Sequence, residues 1–63
     1  MPVIQVNTFK QPDINKKRKM VEKFADIMVE LYGVPRESVI VMIKEDDPEN
    51  VGIGGVLALD KLK

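Results

Sequence analysis

The sequence predicts an α+β fold: a β-α-β unit with a parallel strand pair, then a short C-terminal β-hairpin, working as an oligomer. Three observations predict it. Val3–Phe9 is rich in β-branched residues and alternates in character, as a half-buried strand does. The next segment, Ile14–Tyr32, switches to the 3.6-residue period of an amphipathic helix. Residues 39–43, Val-Ile-Val-Met-Ile, then form an uninterrupted apolar run, followed by the turn-forming group Gly52, Ile53, Gly54 and Gly55.

In the first strand Ile4, Val6 and Thr8 share one face, while Val3, Gln5, Asn7 and Phe9 share the other. Lys10, Gln11, Pro12 and Asp13 break the pattern, and Asp13 is placed to cap a helix. Along that helix Met20, Val21, Phe24, Ile27, Met28 and Leu31 form the apolar stripe. Glu22, Lys23, Asp26 and Glu30 lie opposite, and Arg18 and Glu22 have the spacing of a supporting ion pair. Gly33 suits a left-handed helix end. Residues 34–38 are expected to turn around Pro35, with one turn of 3₁₀ helix. The apolar run is expected to be a strand buried on both faces, and residues 45–50 a solvated acidic loop. A strand, a long helix and a second strand make a right-handed β-α-β unit with a parallel strand pair.

Composition limits both architecture and function. Sixty-three residues, 44% of them hydrophobic, allow one domain, 1–63. Chains this short bury too little surface to be secure alone and rely on disulfides, metals or assembly. With no Cys and no His, neither a disulfide nor a usual transition-metal site is available, so assembly remains. One helix cannot cover both faces of a sheet, so the open face needs other copies. Ten basic and ten acidic residues cancel, leaving no field for nucleic acid or an anionic membrane. No apolar run approaches the ~20 residues of a membrane span, and no signal peptide is evident. The expectation is a soluble cytoplasmic protein without a usual transition-metal site.

Several segments invite sharper readings. Glycines 52, 54 and 55 lack the lysine and following helix of a nucleotide-binding loop, so they read as a turn needing positive φ. Glu45, Asp46, Asp47 and Glu49 lack the spacing of a calcium loop. Lys17 falls inside the helix's apolar arc, either as a snorkelling stem or as a cation facing an anionic ligand or a subunit interface. Pro2 has two readings. It can simply begin an edge strand, where its missing N–H costs nothing. Alternatively, loss of Met1 would free a rigid secondary amine whose ordinary titration lies near ~8, suited to general-base work.

Pro2 directly after Met1, the apolar strand starts, the single amphipathic helix and Asn50-Val51-Gly52-Ile53-Gly54-Gly55 form one pattern. By it the chain resembles the 4-oxalocrotonate tautomerase family, especially the short archaeal forms, over nearly its full length. The resemblance implies a hexamer built as a trimer of dimers and a small-molecule substrate. It also implies a catalytic N-terminal proline, here Pro2, that shuttles a proton between enol and keto forms without a cofactor. It further implies two substrate-binding arginines and an aromatic pocket wall, at positions occupied here by Pro12, Ile40 and Val51. Lys10, Lys17, Arg36 and Lys44 are the candidate replacement cations, with Lys44 expected on the strand face of Ile40. Val3, Ile4 and Val51 are expected to give Pro2 an apolar surround that lowers its amine pKa. The rival expectation is an oligomer of this fold that binds or builds without efficient catalysis.

Overall fold

In the computed structural model, which describes residues 1–61, strand β1 spans Val3–Phe9 and helix α1 spans Ile14–Tyr32. Both have the limits that hydrophobic periodicity sets. At the helix start Asp13 has extended backbone and its Oδ1 accepts the Asn15 N–H at 2.9 Å. This carboxylate satisfies an otherwise orphaned donor and offsets the unfavourable lysines of the first turns. At the other end Gly33, with φ 65°, donates its N–H to the Val29 carbonyl at 3.0 Å. Arg18 does not reach Glu22; its guanidinium donates to Asn15 Oδ1 at 3.0 Å instead.

A 3₁₀ turn at Arg36–Ser38 leads into β2, Ile40–Asp46, which pairs parallel with β1 along its whole length. The strand starts one residue later and ends three residues later than the apolar run. Val39 closes the 3₁₀ turn by donating to the Arg36 carbonyl. Lys44, Glu45 and Asp46 are drawn into the ladder because β1 still offers Asn7, Thr8 and Phe9 as partners. Backbone pairing therefore overrides side-chain polarity, and the acidic loop shortens to residues 47–50, mostly a second 3₁₀ turn at Pro48–Asn50.

The C-terminal part is a hairpin of β3, Gly52–Ile53, and β4, Val56–Leu57, running into one helical turn, α2, Ala58–Lys61. Gly54 and Gly55 have φ of 59° and 84°. Two consecutive positive-φ residues are what a tight two-residue hairpin connection demands.

The helix covers only one face of the sheet. Ile4, Val6, Val41, Ile43 and Glu45 lie half-buried beneath Met20, Val21, Phe24 and Met28. Two strands make a ribbon about 5 Å wide between strand axes, which occupies a narrow stripe of α1. Ile27 and Leu31, on one edge of the predicted stripe, stay exposed, while Ala25 and Val29 are half-buried on its other edge. On the opposite sheet face Val3, Ile40 and Met42 are open, so β2 is covered on one face rather than both.

Ala58 is the one buried residue among those described. The radius of gyration, 15.0 Å, exceeds the ~11 Å expected of a compact chain this long. The accessible surface, 5055 Å², likewise exceeds the ~4,100 Å² expected for this mass. Among the described residues, no helix is long and apolar enough to cross a membrane.

Candidate active site

Because β1 and β2 run parallel, the candidate residues fall at two separate ends of the chain's sheet. At the amino end, Pro2 is half-buried and its carbonyl accepts the Ile40 N–H at 3.0 Å. Val3 and Ile40 are register partners beside it. Met1 is 88% exposed, and while it is attached the Pro2 nitrogen is an amide. Nothing in the sheet depends on Met1, so its removal leaves the ladder intact and frees an amine at the strand start.

Seven residues of strand, about 23 Å, separate Pro2 from the carboxyl end. There Asn7, Thr8, Phe9, Asp46 and Val51 surround a hollow of about 400 Å³. Val51 is fixed by backbone bonds: its N–H donates to Pro48 at 3.4 Å and its carbonyl accepts from Ala58 at 2.8 Å. The expected apolar surround of Pro2 is therefore only partly met within one chain. Val3 and Ile4 are adjacent, but Val51 follows the end of a parallel strand and so lies at the opposite end.

The candidate cations divide in the same way. Lys17 reaches across from α1 to Glu45 Oε1 at 2.6 Å, while the Gln11 N–H donates to Glu45 Oε2 at 2.6 Å. Its position in the apolar arc is thus explained by a carboxylate of its own chain, neither a free snorkelling end nor an exposed anion site. Arg36 is turned to the helix, bonded to Asp26 Oδ1 at 2.5 Å and to the Glu22 carbonyl at 3.2 Å. Lys44 lies on the open sheet face, the face of Ile40 as the strand parity predicts, in register with Asn7. Lys10 is exposed just beyond β1. Among the described residues, Lys10 and Lys44 form no ion pair.

Glu45 and Gln11 escaped the sequence reading. The available signal was parity: Glu45 continues the inward series Val41, Ile43, and an inward lysine on the helix above requires a counter-charge. The Glu45 carboxyl is held below its ordinary value, first by the hydrogen bond from Lys17 and then by the Gln11 N–H. A depressed folded-state value contributes stability above the unfolded value of ~4.3, lost as pH falls through the folded one. Glu45→Gln should therefore melt below wild type at neutral pH, and the two melting temperatures should converge in acid as pH falls below the folded-state value. Equal melting temperatures at pH 7 would contradict this role for the clamp.

A family model described as "Tautomerase enzyme" matches residues 2–61. The chain belongs to the tautomerase family. It is 36% identical over 58 residues to the 2-hydroxymuconate tautomerase of Pseudomonas putida, with 92% of each chain covered. A probable tautomerase of Helicobacter pylori is 31% identical over 58 residues, covering 87% of this chain and 85% of that one. The crystal structure of DmpI from Archaeoglobus fulgidus superposes with a TM-score of 0.82 at 41% identity, over 94% of this chain and 100% of that one. These likenesses extend to the β-α-β unit and the C-terminal strand pair together, and they support a tautomerase role.

Proposed function

We propose that the protein is a cofactor-independent keto–enol tautomerase whose base is the Pro2 amine, freed by removal of Met1. The observation that supports this reading is the family match from residue 2 onward, with Pro2 directly before β1 and next to an exposed Met1. In the enol-to-keto direction the amine accepts the hydroxyl proton and, as an ammonium, returns it to carbon. No other atom is gained or lost. Pro2 and Val51 lie at opposite ends of one chain, so a site joining them takes Val51 from a neighbouring copy. This is consistent with a homo-oligomer, and we assign it as a hexamer, a trimer of dimers, in the cytoplasm.

The substrate is a small enol or 2-oxo acid. With Pro12 and Ile40 at the family's arginine positions, charge stabilisation falls to Lys10 and Lys44. A missing donor at such a site costs about 10²–10³-fold. Monoacid enols should accordingly turn over faster than dicarboxylates, by about tenfold or more in kcat/KM. Rates for phenylenolpyruvate and 2-hydroxymuconate check this, and a clear preference for the diacid would show that lysines replace the arginines in full. The same apolar positions favour a second reading, an oligomer of this fold that binds without efficient turnover. Turnover of phenylenolpyruvate that disappears when Pro2 is blocked decides for the enzyme.

A further inference from the structure

The hollow at the carboxyl end of the parallel pair lies where open α/β sheets generally take their ligands, beyond the carboxyl ends of the strands. At about 400 Å³ it falls in the lower range of small-molecule sites. Its walls have a distinct chemistry. Phe9 is 40% exposed, a large aromatic side chain left partly open at this edge. Val51, half-buried and clamped by Ala58, forms another part of the lining. Asp46, the register partner of Phe9, places a carboxylate in the same lining and makes no ion pair among the described residues. Among the described residues, no cation lines the hollow.

We propose that this hollow is the subsite for the apolar end of a monoanionic aryl enol, with Phe9 supplying the aromatic face that Val51 lacks and Asp46 excluding a second carboxylate. The inference rests on the tautomerase reading and specifies its substrate class. An aromatic ring stacks favourably on an exposed phenyl face in offset or edge-on geometry. A dianion entering the same hollow brings its distal carboxylate towards Asp46, where like charges oppose binding. Phe9 and Asp46 are thus specificity-determining residues at the end of the site remote from the base. The proton transfer itself is left to Pro2 of the adjoining copy.

The test separates binding from turnover. Titration calorimetry with phenylpyruvate, a monoanionic aryl 2-oxo acid, reads binding without chemistry, and phenylenolpyruvate kinetics read turnover. Phe9→Ala should raise Kd and KM about tenfold, with kcat within about twofold and the sedimentation coefficient unchanged. Val51→Phe in the Phe9→Ala background should restore most of the loss, which a purely structural Phe9 would not permit. Phe9→Leu keeps apolar bulk at the position. If Phe9→Ala fails to assemble, a threefold or greater rise in Kd for assembled Phe9→Leu supports the proposal. Asp46→Asn should raise kcat/KM for 2-hydroxymuconate relative to that for phenylenolpyruvate about fivefold, and an unchanged ratio would remove Asp46 from the subsite. Wild-type affinity in assembled Phe9→Ala or Phe9→Leu, or no binding of phenylpyruvate at millimolar concentration, overturns the subsite. Phe9-dependent binding without turnover would instead sink the Pro2 reading and leave the subsite standing.

Discussion

A chain extended by one residue ahead of Pro2, or retaining Met1, is expected to lose about 10²–10⁴-fold in kcat/KM for phenylenolpyruvate, the usual contribution of a general base. The reason is bond chemistry rather than shape. An acylated proline nitrogen is a tertiary amide with no basic lone pair, whereas the released residue offers a secondary amine held by the first hydrogen bond of the ladder. Met1 lies 88% exposed, so an added residue there disturbs neither β1 nor the pairing of Pro2 with Ile40. Sedimentation of the extended variant should match wild type. Pro2→Ala leaves a primary amine at the same place and should lose less than the extended chain. Full activity in an extended, correctly assembled variant would exclude Pro2 as the base.

Replacing Met42 with Asp is expected to cause the largest loss of stability. Met42 is 55% exposed in the middle of the uncovered sheet face, between Val3–Ile40 and Lys44. Among the described residues only Ala58 is buried, so the chain has little core of its own. Its stability must come from what covers that face. A carboxylate placed there would be buried unpaired in an oligomer, at a cost of roughly 3–5 kcal/mol per site. That is a large part of the 5–15 kcal/mol that holds a typical domain together. At micromolar concentration Met42→Asp should therefore sediment as monomer and lose its helical circular dichroism together. A folded, stable monomer of either wild type or variant would contradict the dependence of folding on assembly.

Local sequence determines much of this fold. β1, α1, the Asp13 cap and the Gly33 end all follow from periodicity and capping chemistry, which act over a few residues. The Gly54-Gly55 turn follows from backbone freedom in the same way. The limits of β2 did not follow, because its last three residues are polar and become strand only through pairing with Asn7, Thr8 and Phe9. The Lys17–Glu45 clamp was hidden for a related reason, being a contact between residues 28 apart that only the register brings together.

The candidate site divides similarly. Pro2 is a candidate by its position in the chain, and the face of Lys44 was legible because strand parity fixes it. Val51 and Pro2 are not grouped within one chain, because the parallel topology sends whatever follows β2 to the end opposite the start of β1. The hollow formed by Phe9, Asp46 and Val51 had no sequence signature, since it joins residues from the ends of both strands and the turn beyond them.

The identity of the base can be read by titrating the Pro2 nitrogen. Protein prepared without Met1 and labelled with ¹⁵N-proline should show one proline nitrogen whose shift follows pH, because the other three are amides. Its midpoint should coincide with the ascending limb of the kcat/KM profile for phenylenolpyruvate, which reports the essential base of the free enzyme. Activity that rises with pH while the Pro2 nitrogen titrates elsewhere, or not at all, would assign the base to another group.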